Sequence, residues 1–497
     1  RDRDWDDKGE MVLDTQLAAG KNLVRFTIPA DAKADSTFAR FRFSLQAIPG
    51  PGGQAMDGEV EDYRAFVRAS YYDFCKRDSL ALVALYRSTN GDSWANRRNW
   101  LSGPLSTWYG VELDGCRVRA IRLPKNNLTG VLPSEIGNLD AMETLDLSTV
   151  TFADTFPNTI SGNLPAELGQ CRALRDLNLA NNRFSGSIPA ALGNLSQLLI
   201  LRLQGNELTG EIPTELGNLN QLLELSLNRN MLEGEIPTAL CGLATLQEMY
   251  LSNNRLTGTI PDEIGRLSNL SLLILGSNHL HGQIPASLYT LTRLTHLGLY
   301  DNEFDGPLAA EVGRLTHLAA LVLYENQFAG GLPEELYGLS QLLQLRLNSN
   351  NFSGEISSAI GSLHELQYLE LEENNLAGPV PDELAGLSTL KGITLNDNRF
   401  THFPDISALP ALQSLQLENN RLTFGDIEPN MSVAGRYYSY SPQDSLGIER
   451  DTTLTAGMPF ELCCVVDGTA NAYQWQRNGV DVASANNATL HIPAVAA

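Results

Sequence analysis

Residues 198–213 read Leu198-Leu-Ile-Leu201-Arg-Leu203-Gln-Gly-Asn206-Glu-Leu208-Thr-Gly210-Glu-Ile212-Pro213, and the phrase returns every 24 residues. Its first leucine recurs at Leu174, Leu222, Leu246, Leu270, Leu294, Leu318, Leu342, Leu366 and Leu390. Its asparagine recurs at Asn126, Asn158, Asn182, Asn206, Asn230, Asn254, Asn278, Asn302, Asn326, Asn350, Asn374, Asn398 and Asn420, which makes thirteen turns. A fixed period of this length marks units that bury a core only by stacking, so the chain is built around a solenoid. Two leucines two residues apart give each turn a short strand with one buried face. The recurring Gly210 and Pro213 positions exclude a continuous helix. Where the chain leaves the strand, backbone N–H and C=O groups lose their sheet partners, and an asparagine amide can satisfy both kinds. Leaving such groups unpaired costs roughly 1–3 kcal/mol each, so the asparagine column reads as structural.

The segment Leu208-Thr-Gly210-Glu-Ile212-Pro213-Thr-Glu-Leu216-Gly217-Asn-Leu219 resembles the plant-type leucine-rich-repeat family and its L-x-G-x-I-P-x-x-L-G-x-L consensus. The resemblance implies an α/β-type solenoid with a parallel β-sheet on the concave face, flanked here by all-β sandwich modules. The sequence departs from the pattern in three places. The step from Met142 to Leu174 is 32 residues, so 148–157 is predicted to loop out beside the sheet. Ala309 and Ser357 stand where proline is expected, and the step from Leu390 to Leu412 is 22.

At 497 residues the chain exceeds what one core organises. A formal charge of −23 without a basic stripe disfavours nucleic acid and anionic membrane as partners. No apolar run of about 18 residues is present, so no direct membrane insertion is expected. The opening Arg1-Asp-Arg-Asp-Trp5 reads as the middle of a domain, and the chain as an interior piece of a longer protein. Six cysteines show no zinc spacing: Cys171 and Cys241 read as isolated thiols, while Cys75 and Cys116 bracket the segment before the solenoid, where a bridge is plausible.

Residues 1–70 alternate apolar and polar positions between turns, as in Asn22 to Ile28 and Thr37 to Leu45. The run Asp57-Gly58-Glu59-Val60-Glu61-Asp62-Tyr63 resembles the GEVED domain, a β-sandwich module of bacterial surface and secreted proteins. Asp2, Asp4, Asp6 and Glu10 form an acidic loop that either converges on Ca²⁺ or stays solvated; no other cofactor is called for. Residues 71–117 read as the solenoid's N-terminal cap, with Trp94, Trp100 and Trp108 closing its open apolar end. Residues 118–428 are the solenoid, and 429–445 a Tyr/Ser/Pro linker. Residues 446–497 resemble part of an immunoglobulin-like domain, with Cys464 as the core cysteine, Cys463 facing solvent and Trp475 on the following strand.

Phosphate-loop, dinucleotide, nucleophile-elbow and zincin motifs are absent, so no enzyme is expected. His279, His281, His296 and His317 cluster in sequence but occupy different places in the repeat, which argues against a metal centre. Outward strand positions are informative instead. Early turns offer polar residues such as Arg122, Asp146, Asn178, Arg202 and Ser226. The middle turns offer Tyr250, Leu272, Ile274, His296, Tyr300, Val322 and Tyr324, followed by Arg346, Tyr368, Glu370 and Glu372. With strands about 4.8 Å apart, four turns place the aromatic group on a patch roughly 15 Å long. Cross-strand stacking accounts equally for tyrosines there, but aromatics on an otherwise hydrophilic sheet are a candidate hot spot with an acidic rim. The expectation is an extracellular, bacterial-surface recognition or adhesion protein for a protein or glycan partner; a spacer or filament subunit and an inhibitor of a secreted enzyme are the alternatives.

Overall fold

The computed structural model describes residues 36–42, 60–66, 71–149, 155–435, 437–444 and parts of 458–492. The chain divides into two compact units, Arg1–Asp78 and Ser79–Ala497. Asp2, Asp4, Asp6 and Glu10 lie outside the described residues, as do the 22–28 run and the centre of the insertion. In the first unit Ser36–Arg42 pairs antiparallel with Val60–Phe66, Arg42 opposite Val60. The strand predicted before the acidic signature is thus its direct neighbour.

The second unit is a coil of rungs. Its main sheet has fifteen strands, most of three residues, stacked in sequence order from the cap to the end of the repeats. Leu201 sits between Leu177 and Leu225 in unbroken parallel register, and all three are fully buried. Strands following the asparagines from Asn126 to Asn398 form two six-stranded sheets. Backbone bonds from His279 N–H to the Leu256 carbonyl (2.8 Å) and from His281 N–H to the Gly258 carbonyl (2.9 Å) bridge the division between them. A one-turn 3-10 helix completes the rungs from Ser134–Asn138 to Asp382–Gly386, begun in most by a proline such as Pro213 at φ −61°; the fixed ring angle suits that place.

The asparagines do what their chemistry requires. Asn230 Nδ2 donates to the carbonyls of Leu203 and Leu227, both at 3.0 Å, and its Oδ1 accepts from Leu208 N–H at 3.1 Å. The residue before it is forced into the left-handed region, with Arg229 at φ 56° and Asn253 and Ser277, at the same place in the next rungs, at 56° and 55°. That conformation costs roughly 1–2 kcal/mol for an L-residue, and the bonds made by the neighbouring amide hold it.

The cap contains helix α1 (Tyr71–Ser88) and a packed aromatic group. Trp94, Trp100 and Trp108 are 4–6 % exposed, with Trp100 centred 4.7 Å from both of the others and 5.7 Å from Tyr86. Trp94 and Trp100 donate their indole N–H groups to the carbonyls of Thr89 and Tyr109, so the apolar end is closed without stranding these donors. Cys75 and Cys116 are both disulfide-bonded.

Three expectations change. The insertion does not leave the rung at residue 148: Ser148 and Thr149 are buried, and Thr149 Oγ1 accepts from Asn158 N–H at 2.7 Å, so the ladder asparagine arrives on schedule. The 429–445 stretch is not simply a linker. It follows helix α2 (Phe424–Ile427), and Tyr437–Ser439 adds a parallel strand beside Ser414–Gln416. Gln443 then takes the asparagine's part, donating to the Leu417 carbonyl at 2.9 Å and accepting from Leu422 N–H at 3.2 Å. Finally, Cys463 and Cys464 are both exposed thiols. The strand Phe460–Cys463 pairs with Thr489–Ile492 in a two-stranded sheet, and among the described residues no second layer covers Cys464.

Candidate partner-binding face

Because alternate strand residues point to opposite faces, each rung presents three side chains outward from the main sheet, the concave face of the sequence reading. In register, the first column runs Glu248, Leu272, His296, Ala320, Gln344, Tyr368 and the second Tyr250, Ile274, Gly298, Val322, Arg346, Glu370. The third lies two residues further on: Ser252, Gly276, Tyr300, Tyr324, Asn348, Glu372. The named residues therefore occupy consecutive rungs of one face. His296 is exposed, and Tyr250, Leu272, Ile274, Tyr300, Val322, Tyr324, Arg346, Tyr368, Glu370 and Glu372 are half-buried against their neighbours.

They do not pack as one cluster. Tyr300 and Tyr324 stack with centroids 4.9 Å apart and planes 17° from parallel. Beneath them the sequence supplies space: a Cβ on Gly276 would fall well inside van der Waals contact with the Tyr300 ring, and one on Gly298 would meet Ile274 at 3.1 Å and Tyr300 at 3.5 Å. These glycines are needed for room, since neither has a positive φ. Tyr250 stands apart, donating to Glu248 Oε2 at 3.0 Å; burial and that acidic neighbour push its phenol up to about 12. Burial, then the Tyr300 neighbour, raises Tyr324 as well.

Toward the C-terminal side the face becomes ionic. Arg346 Nε lies 3.3 Å from Glu370 Oε1, and its guanidinium rests over the Tyr368 ring, 5.9 Å from the centroid. Burial lifts the carboxyls of Glu370 and Glu372 above the usual range, opposed by Arg346 for Glu370 and by the 2.6 Å bond from Thr394 Oγ1 for Glu372. On the N-terminal side Arg202 is clamped to Glu224, which also accepts from Ser226 at 2.9 Å.

Reading the strands alone missed the glycine floor and a run of unmet acceptors. Asn348 Oδ1, Asn396 Oδ1 and Glu418 Oε2, successive third-column atoms apart from Glu372, are buried and have no hydrogen-bond partner among the described residues. The glycines were readable: Gly276 and Gly392 each sit one rung from a tyrosine of the same column. Among the described residues no group of three or more His, Cys, Asp or Glu side chains is placed to hold a metal, and no helix is long and apolar enough to cross a membrane.

Comparison with known proteins agrees with this architecture. Residues 238–428 match the model of the leucine-rich repeat region, 173–195, 197–219 and 221–243 match the single leucine-rich repeat, and 1–65 match the GEVED domain. The solved leucine-rich-repeat protein of Leptospira interrogans is 32% identical at a TM-score of 0.50, covering 65% of this chain and 83% of that one. The chain belongs to the leucine-rich-repeat family. It is also similar to the ectodomain of the Arabidopsis receptor kinase HAESA, solved in complex with an IDA peptide hormone (31% identity, TM-score 0.64, 73% of this chain and 60% of that one). A second similar structure, the plant peptide hormone receptor RGFR1 in complex with RGF2, is 32% identical with a TM-score of 0.56 over 63% of this chain and 57% of that one. The chain thus spans less than two thirds of the length of these receptor chains.

Proposed function

We propose that this chain is an extracellular recognition module of a bacterial surface or secreted protein, which holds a protein partner against the outward face of its main sheet and performs no catalysis. The carrying observation is the Tyr300–Tyr324 stack, laid over glycines and bordered by Ile274 and Val322 on a face whose earlier rungs are ionic and self-paired. Rigid aromatic area loses little side-chain entropy on binding, which is why such groups anchor interfaces. The peptide-bound state of the similar plant receptors supports a protein partner, and the GEVED match with the Leptospira relative supports the bacterial setting.

The test is selection of a displayed random dodecapeptide library on the full chain, followed by measuring each enriched peptide on a Tyr250→Ala, Tyr300→Ala, Tyr324→Ala variant with an unchanged circular dichroism spectrum. Enriched peptides should lose tenfold or more in affinity on the variant. Equal binding to both proteins would overturn the reading.

A further inference from the structure

The third outward column changes character partway along the coil. After the polar residues Gln204, Asn228 and Ser252, of which Gln204 Oε1 is also unmet among the described residues, it carries a glycine floor and two stacked rings, Gly276, Tyr300 and Tyr324. It then continues as oxygen acceptors on four successive rungs: Asn348, Glu372, Asn396 and Glu418. Of these, Asn348 Oδ1, Asn396 Oδ1 and Glu418 Oε2 receive no donor from the described residues. Glu372 receives one, from Thr394.

The cations that could serve them are committed elsewhere. Arg346 is drawn to Glu370 and the Tyr368 ring, although its buried Nε makes no hydrogen bond among the described residues, and Lys391 Nζ donates to Gln367 Oε1 at 2.7 Å. A buried acceptor without a donor is costly, and a column of them beside an aromatic shelf is a surface complementary to donors and positive charge.

We infer that this column takes a basic, extended peptide segment lying along the coil, with arginine or lysine side chains laid on Tyr300 and Tyr324 and others, further along the segment, donating to Glu372 and Glu418. The inference rests on the recognition reading and specifies its partner. From Tyr324 to Glu418 is four strand spacings, roughly 19 Å, which an extended peptide spans in about six residues. Guanidinium groups suit both halves of the site, since they stack on aromatic faces and donate in a fork to carboxylates. Small rotations of the half-buried Asn348, Asn396 and Glu418 side chains bring their oxygens to the incoming donors.

The probes are fluorescein-labelled (Arg-Gly)4, (Glu-Gly)4 and (Ser-Gly)4, titrated with the full chain by fluorescence anisotropy at 0.05 M and 0.5 M NaCl. General attraction to a chain of formal charge −23 is controlled with a Glu211→Gln, Glu235→Gln variant, which removes the same charge from exposed positions on the six-stranded sheets. The arginine peptide should bind at least tenfold tighter than the other two. A Glu372→Gln, Glu418→Gln variant should lose tenfold or more and Tyr324→Leu at least threefold, with the control within twofold. Equal losses in the face and control variants, or equal binding of (Ser-Gly)4, would overturn the inference. Library peptides that depend on the tyrosines yet lack arginine and lysine would also overturn it, while leaving the recognition reading standing.

Discussion

The hydroxyl of Tyr337 accepts a hydrogen bond from the backbone N–H of Ser357, 3.3 Å away on the next rung. Ser357 occupies the place that most rungs give to proline, at a φ of −71° that proline would accept. Buried Tyr289 takes the corresponding place in the 3-10 turn preceding Ala309, but its hydroxyl has no hydrogen-bond partner among the described residues, so the same explanation does not extend to Ala309. Proline at 357 would have no N–H to give the buried Tyr337 phenol. Ser357→Pro should therefore destabilise the wild-type chain by about 1–3 kcal/mol, although the backbone fits. In a Tyr337→Phe background the same change should cost little. Urea denaturation of the four proteins in a double-mutant cycle gives the coupling; independent effects would remove this explanation.

Asn230 tests the ladder. Replacing it with alanine strips two carbonyls and one N–H of their buried partner, so Asn230→Ala should lower stability by about 3 kcal/mol or more. The urea midpoint reads this out, and a shift no larger than that of an exposed control such as Glu211→Gln would contradict it.

Gly276 tests the shelf. A methyl group there collides with the Tyr300 ring, so Gly276→Ala should cost about 1–3 kcal/mol by overpacking or turn the ring away. Either way the near-ultraviolet circular dichroism of the stacked tyrosines should weaken; an unchanged band would mean that the rings do not pack as described.

Burial raises the Glu372 carboxyl, so the folded chain takes up that proton at higher pH than the unfolded chain does. Ionisation in the fold is thus unfavourable, and the associated stability is present below the unfolded value of roughly 4.3 and lost as pH rises through the folded value. Glu372→Gln should raise the urea midpoint at pH 7 and leave it unchanged at pH 4. A fall at pH 7 would show that the charge is stabilising.

Periodicity carried most of the fold, because a motif repeated over a dozen rungs averages out local ambiguity. The leucine registers, the asparagine ladder and the tryptophan lid are where the spacing places them. What it could not show were contacts between rungs. Nothing in a single repeat says that Tyr337 reaches Ser357, or that Tyr300 lies over Gly276 while Tyr250 turns to Glu248. Gln443 was illegible for a related reason: it performs an asparagine's task outside the period, after a cap that breaks the pattern.

That last rung fixes where the protein can be cut. A boundary at residue 428, where both the repeat spacing and the family match end, would delete Tyr437–Ser439 and leave Ser414–Gln416 as an open sheet edge. It would also remove the glutamine that closes the final turn and Asn430, whose side chain donates to the Pro404 and Asp426 carbonyls. Fragments ending there should self-associate through the bared backbone, whereas those carried past residue 444 keep their seal.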